Sequence, residues 1–164
     1  MNFLFKIIDY FYQKKKYSFL KKRIPKHIST FIDVGAHHGD TIIEFLDIFS
    51  IDKIYAFEPS QKNLNKLKIN MAKIRNISLT EIKIFPVGLG KKNDILQLNE
   101  MVDGVSNTFN SLNNNSKYLK KKKFITTLFG IKKFVQDKVP TKIIPLKEFI
   151  DQEKIDKIDF IKID

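Results

Sequence analysis

Two short stretches of the sequence place a carboxylate where an apolar run ends. In FIDVGAHHGDT, residues 31–41, Asp33 precedes a turn that holds two glycines. In IYAFEPS, residues 54–60, the apolar run ends at Glu58. A carboxylate after the second strand of an α/β protein can accept hydrogen bonds from both hydroxyls of a ribose. The two stretches therefore predict a site for a nucleoside-containing ligand.

The segments that position these acids alternate between strand and helix patterns. Near-continuous apolar runs, typical of strands buried on both faces, are followed by stretches whose apolar residues recur three or four apart. This alternation predicts right-handed βαβ units, a parallel sheet and an α/β fold. Predicted strands cover residues 28–34, 53–57, 81–87, 94–100 and about 158–164, and residues 142–152 read as a strand that leads into a helix.

Several local signals refine this pattern. Asp40 or Thr41 is expected to cap the first helix, with Thr41 and Glu44 in capping-box spacing, and Ser60 to cap the second. Pro86 cannot donate to a strand ladder, which places the third strand at a sheet edge.

Two later segments are predicted from their composition. Pro145 suits the first turn of a helix. Residues 107–124 are rich in Asn and Lys and are expected to form an exposed loop or lid.

The charge of the chain is unevenly distributed. Its formal net charge is +12 over 164 residues. Residues 1–30 hold eight basic groups and one acid, whereas residues 31–80 hold six of each. The segment with the strongest motifs is thus neutral, which argues against a specific nucleic-acid role and leaves attraction to an anionic partner open. The chain has no cysteine, so disulfides, thiolate nucleophiles and cysteine-bound zinc are excluded.

The N-terminal residues form a separate basic arm, residues 1–27, ahead of one domain, residues 28–164. Apolar residues between positions 3 and 11 recur at helical spacing, which predicts an amphipathic helix. We expect it to pack on its own domain, although its basic flank keeps membrane contact open. No run approaches the ~20 apolar residues of a spanning helix, and no signal-peptide pattern is present.

The turn after Asp33 narrows the choice of ligand. A phosphate loop needs Gly-Lys-Ser/Thr, and none follows Gly39. The dinucleotide fingerprint needs a glycine where Asp33 stands, and its charge would face the pyrophosphate. An acid there instead suits a ligand with a cationic centre and an ammonium, such as S-adenosyl-L-methionine. His37 and His38 invite a metal interpretation, but we expect their rings to point apart and no metal to bind.

Together, FIDVGAHHGDT, IYAFEPSQKNL, FPVGLG and the closing IDKIDFIKID resemble the FkbM-type S-adenosylmethionine-dependent methyltransferases from about Thr30 onward. The resemblance implies a Rossmann-like class I methyltransferase sheet, cytoplasmic location and O-methylation of a sugar, polyketide or similar small metabolite or glycan. It implies that Asp33, Gly35 and Gly39 frame the methionine portion of the cofactor and that Glu58 holds the ribose. The implied cofactor-binding residues are Asp33, Gly35, Ala36, His37, Gly39, Glu58, Pro59, Val87 and Gly88, with Val87 and Gly88 along the adenine; Asp164 and Lys162 are the catalytic candidates.

The chain departs from the family pattern at its end. FkbM proteins continue past the equivalent of Asp164 with Val-Glu-Gly and further strands, whereas this sequence stops there. We therefore expect an N-terminal piece of the enzyme with an incomplete sheet. A catalytically silent cofactor-binding remnant and, less well supported, a nicotinamide-binding domain remain as alternatives. The acceptor and the oligomeric state cannot be read from these residues.

Overall fold

The computed structural model describes residues 17–75, 79–101, 107–110, 116–117, 120–121, 124, 127 and 135–164. Within them the chain forms a helical stretch over residues 17–21, three longer helices and seven strands. The strands are β1 (His27–Val34), β2 (Ser50–Phe57), β3 (Glu81–Phe85), β4 (Gly88–Gly90), β5 (Asp94–Met101), β6 (Val135–Pro145) and β7 (Phe160–Ile163). The helices are α1 (Asp40–Leu46), α2 (Gln61–Arg75) and α3 (Leu146–Glu153).

The main sheet has the order β3-β2-β1-β7, and all its neighbouring strands run parallel. In the register, Ile32 of β1 faces Tyr55 of β2 on one side and Ile161 of β7 on the other. The predicted α/β fold with a mostly parallel sheet is confirmed. β3 lies at one edge, as Pro86 predicted, and β7 lies at the other edge among the described strands.

One face of the main sheet is covered by α1 and α2. Phe31 and Ile54 project from the sheet into a cluster with Phe45 of α1 and Leu67 and Met71 of α2, all of them buried. The rings of Phe31 and Phe45 stack with centroids 4.9 Å apart. Because successive strand residues point to opposite faces, this cluster uses one half of the apolar run in each strand.

The opposite face is covered by α3. Phe149 of α3 meets Tyr55, Phe57 and Phe85 edge to face, with ring centroids 5.2, 4.8 and 5.0 Å away. Edge-to-face pairs add about 0.5–1.5 kcal/mol each beyond burial. The strand residues that point away from α1 and α2 therefore pack against α3. This explains why apolar residues occupy consecutive positions in β1 and β2.

A second, smaller sheet has the order β4-β6-β5. β4 pairs with β6 in parallel and β5 pairs with β6 antiparallel, so the strand predicted over residues 94–100 is confirmed. The small sheet is only partly buried by other residues. Leu98 and Met101 are buried, whereas Ile95 and Leu96 of the same strand are 69% and 40% exposed.

The N-cap residues of α1 and α3 differ from the predicted ones. The N-cap of α1 is Gly39, at φ 89° and without a side-chain cap hydrogen bond, so the proposed caps at Asp40 and Thr41 are wrong. The chain enters α1 from a left-handed turn, which puts both residues inside the helix. Pro145 is the N-cap of α3 rather than part of its first turn. Ser60 directly precedes α2, and its hydroxyl donates to Glu100 of β5 at 2.5 Å.

The segment predicted as a loop is more ordered than expected where the structure describes it. Thr108 forms a β-bridge with Asn99, and residues 117, 120, 121, 124 and 127 have helical backbone. The predicted amphipathic helix between positions 3 and 11 lies outside the described residues. None of the helices in the described part of the chain is long and apolar enough to cross a membrane.

Candidate functional site

The turn after β1 is shaped by three residues with positive φ: Gly35 at 81°, His37 at 50° and Gly39 at 89°. The backbone N–H groups of Gly35 and Ala36 both donate to the carbonyl of Phe57, at 2.9 Å each. A Cβ on Gly35 would stand 3.3 Å from the Cβ of Asp164, so a larger residue would crowd the end of β7 as well as strain the turn. The turn thus brings β1, β2 and β7 to one point.

Gly39 serves packing rather than the cavity. A Cβ at this position would lie 2.5 Å from Cε of Met71 and 2.9 Å from Cδ1 of Leu67, both on α2. Gly39 itself does not line the cavity, although its neighbours His37 and Asp40 do.

Glu58, directly after β2, holds the two turns together. Its Oε2 accepts from the backbone N–H of His37 at 2.8 Å, and its Oε1 accepts from the backbone N–H of Ser60 at 2.9 Å. Burial raises the pKa of Glu58 more than these two hydrogen bonds and a third from the side chain of Asn63 lower it. A carboxylate has about four acceptor positions, so Glu58 keeps about one for a donor from a ligand.

Lys162 of β7 connects three groups at the other end of the site. Its Nζ lies 3.0 Å from Oδ1 of Asp33 and 2.5 Å from Oδ2 of Asp164, and it donates to the carbonyl of Gly35 at 3.1 Å. Burial alone would lower the pKa of Lys162, but the hydrogen bond to Asp164 and the charge of Asp33 outweigh it and raise the pKa. Lys162 therefore carries a proton and a positive charge near neutral pH.

Asp33 lies beneath the cavity rather than in its wall. Its side chain is 0% exposed, and its Oδ2 has no partner among the described residues. Burial raises the pKa of Asp33, opposed by the charge and hydrogen bond of Lys162. Asp33 is not among the residues that line the cavity, and Lys162 lies against its Oδ1. The predicted place of Asp33 around the methionine portion of the cofactor stays a prediction. The effect of Asp33 on the cavity passes through Lys162.

The turns and the second sheet enclose a cavity of about 770 Å³, within the range usual for small-molecule sites. Nine of the eleven predicted site residues line it: Gly35, Ala36, His37, Glu58, Pro59, Val87, Gly88, Lys162 and Asp164. The two that do not are Asp33 and Gly39. Sequence reasoning missed the wall contributed by β5, β6 and residues 107–110, because those residues carry no strand-end acid or glycine motif.

His37 and His38 do not point apart as predicted, since their rings stack with centroids 3.6 Å apart. With Asp40 they bring three ligand atoms within 4.8 Å of one another. Burial and the charge of His38 lower the pKa of His37, and Lys66 and Lys162 act in the same direction. Those lysines would repel a metal cation too, so the absence of a metal stays our prediction.

A parallel sheet with helices on both faces and a cavity at the carboxyl ends of its strands defines a Rossmann-like methyltransferase fold. The model of the family described as "Methyltransferase FkbM domain" matches residues 33–164. The chain belongs to this family, as its motifs predicted.

A solved structure supports the same fold. It is described as the crystal structure of methyltransferase FkbM from Methylobacillus flagellatus KT at 2.20 Å resolution. The two share 14% sequence identity with a TM-score of 0.53, and the match covers 87% of this chain but 27% of the other. The chain thus spans about a quarter of the length of that protein. A comparison with curated proteins found no significant match.

Proposed function

We propose that this chain binds S-adenosyl-L-methionine and serves transfer of its methyl group to a hydroxyl of a sugar or other small metabolite. The family supplies the reaction class. The cofactor and the acceptor are argued from the residues around the cavity.

The observation that carries the proposal is the order of groups along the sheet edge. Val87 and Gly88 follow β3, Glu58 follows β2, the Gly35 turn follows β1 and Asp164 follows β7. Since the strands stand in the order β3-β2-β1-β7, the edge presents an apolar part, a carboxylate, a glycine turn and a charged pair in turn. Adjacent strands lie about 4.8 Å apart, so the four positions span about 14 Å. This sequence matches the base, the ribose and the cationic end of an extended S-adenosyl-L-methionine.

The charges around the cavity fit a cationic ligand. Four lining residues carry a carboxylate and three carry an ammonium: Asp40, Glu58, Asp94 and Asp164 against Lys91, Lys92 and Lys162. Burial and the charge of His38 lower the pKa of His37, so this imidazole adds no charge near neutral pH. A wall with one excess negative charge complements a ligand that carries a sulfonium, an ammonium and one carboxylate.

Asp164 is the residue best placed to receive the acceptor proton. When bound, S-adenosyl-L-methionine would supply a methyl group on a sulfonium and leave as the neutral thioether once that carbon–sulfur bond breaks. Lys162 holds Oδ2 of Asp164, and the Asp164 side chain is 65% exposed, so its other oxygen can meet an acceptor hydroxyl at the cavity mouth. Asp164 would take the proton of that hydroxyl. Lys162, locked between Asp33 and Asp164, keeps the carboxylate oriented.

Calorimetry with S-adenosyl-L-methionine tests the proposal. Glu58→Gln removes the charge that accepts the ribose hydroxyls, and we expect Kd to rise about 10- to 100-fold, as loss of hydrogen bonds to a charged group costs about 1.5–3 kcal/mol. Glu81→Gln is the matched control, because Glu81 begins β3 at the opposite end of the strand and should leave Kd unchanged. Tighter binding of NAD than of S-adenosyl-L-methionine would overturn the proposal.

A silent binding role is the second candidate. The chain spans 27% of the related solved structure, so parts of that protein have no counterpart here. A methyl-transfer assay with sugar acceptors separates the two roles: binding without transfer to any acceptor would favour the silent one.

A further inference from the structure

Residues 107–110 lie in the cavity wall and are fixed to β5. Asn99 of β5 and Thr108 exchange backbone hydrogen bonds of 2.9 and 3.2 Å. The side-chain amide of Asn99 also donates to the carbonyls of Thr108 and Asn110, at 3.2 Å each. The backbone N–H of Met101 donates to Oδ1 of Asn107 at 2.8 Å. These bonds fix the residue between Thr108 and Asn110, which is Phe109.

The Phe109 ring stands against Gly88, at the β3 end of the cavity. A Cβ on Gly88 would lie 3.1 Å from Cζ and 3.2 Å from Cε2 of Phe109, and 2.7 Å from Cδ1 of Ile143. Glycine at position 88 therefore makes room for the ring. Phe109 is half-buried and lines the cavity beside Val87, Leu98 and Ile143, so one part of the ring surface is left for a ligand.

The groups next to the Phe109 ring differ chemically from those at the other end of the site. Phe109 and Ile143 both lie close to Gly88, whereas Lys162 and Asp164 lie two strands beyond Glu58 along the edge. A planar heteroaromatic ring is the part of a nucleoside ligand that gains most from an aromatic face in an apolar setting.

We propose that Phe109 is the stacking platform for the purine base of the ligand whose ribose Glu58 holds. This inference rests on the proposed function and adds a binding residue outside the strand-end motifs. The small sheet would thus supply the base-binding wall of a site whose Glu58, Lys162 and Asp164 come from the main sheet and its turns.

The test compares the binding of S-adenosylhomocysteine and of adenosine by calorimetry. Both ligands contain the purine, so Phe109→Ala should raise both Kd values by a similar factor of about ten, as stacking losses on other aromatic platforms do. Phe109→Tyr should bind like wild type. Phe19→Ala is the matched control, since Phe19 is 53% exposed in the 17–21 helical stretch and does not line the cavity.

The outcomes separate this inference from the function on which it rests. Equal affinities of wild type and Phe109→Ala would overturn the inference alone, as would a change confined to the Michaelis constant of the acceptor. A wild-type chain that binds neither ligand would overturn the proposed function and the inference together. If Phe109→Ala does not fold, Phe109→Leu keeps the apolar volume without the ring and should still weaken both ligands several-fold.

Discussion

The main sheet and the small sheet line one cavity but are built differently. β1 and β2 are buried on both faces by α1, α2 and α3, and their apolar runs are continuous. β5 is buried at Leu98 and Met101 but exposed over its first four residues. The main sheet supplies the charged groups that end its strands, and the small sheet supplies apolar residues together with Asp94, with Lys91 and Lys92 in the turn before β5.

This difference indicates that the main sheet and the small sheet contribute differently to stability and to ligand recognition. A strand buried on both faces cannot change without loss of packing, so its chemistry is confined to the residues just beyond its carboxyl end. A partly exposed strand such as β5 tolerates replacement along most of its length. We therefore expect substitutions in the main sheet to affect folding and turnover, and substitutions in the small sheet to affect ligand choice.

The largest expected effect is a difference in the free energy of unfolding between two isoleucine replacements, one in each sheet. Ile54 of β2 is 0% exposed and Ile95 of β5 is 69% exposed. Ile54→Ala leaves a cavity in the core and should lower the free energy of unfolding by about 2–5 kcal/mol. Ile95→Ala should change it by less than about 0.5 kcal/mol. Urea denaturation measures both, and similar losses would contradict the division between the sheets.

The next effect concerns two carboxylates that line the cavity from different sheets. Asp164→Asn removes the proposed proton acceptor, and turnover should fall about 100-fold or more, while Kd for S-adenosyl-L-methionine stays the same. Asp94→Asn in β5 is the control and should alter turnover by less than about twofold, because Asp94 forms an exposed ion pair with Lys92 and such pairs contribute little. Unchanged turnover in Asp164→Asn would remove Asp164 from the mechanism.

We expect the affinity for the ligand to depend on pH through the main sheet alone. Burial raises the pKa of Glu58, and the ionised form is the stronger acceptor for the ribose hydroxyl in the proposed binding mode. As pH falls through this raised pKa, protons compete with the ligand, so Kd should rise about tenfold per pH unit below it. The rise should begin at a higher pH than for an exposed glutamate, and Glu58→Gln should abolish it. Calorimetry at a series of pH values measures both proteins.

The effect of Glu58 protonation on the stability of the fold is opposite in sign to its effect on ligand binding. Since the folded pKa of Glu58 lies above its unfolded value, the folded chain binds more protons in that window, and this residue adds stability as pH falls. Weaker binding on acidification without earlier unfolding is thus the expected result. Loss of fold at the same pH would mean that another group causes the effect.

The smallest effect tests the link between the sheets. The hydroxyl of Ser60, beside Glu58, donates to Glu100 of β5. Ser60→Ala should lower the free energy of unfolding by about 1 kcal/mol and raise Kd slightly, because β5 loses its tie to the Glu58 turn. Glu100→Gln keeps an acceptor oxygen and should cost less. A Ser60→Ala variant as stable as wild type would show that the sheets are held together by packing alone.

The sequence predicts the main sheet better than the small one for a physical reason. Double-sided burial leaves long apolar runs, so β1, β2 and the edge position of β3 could be read directly, and the glycines at positions 35 and 39 mark the turn. The wall formed by Phe109 gives no such signal, because its position depends on hydrogen bonds from Asn99 across a loop. The location of Asp33 was also hidden, since its partner Lys162 lies more than a hundred residues away.

The pairing of β1 with β7 has a consequence for how the molecule forms. The carbonyl of Gly35 and the ammonium of Lys162 meet across 127 positions, whereas β1 and β2 meet across about twenty. Closing the longer loop costs more chain entropy, and the contacts that offset this cost form only after the loop has closed. We therefore expect β1, β2 and β3 to assemble first, so that a folding intermediate would hold the ribose carboxylate in place before the methyl-transfer end exists.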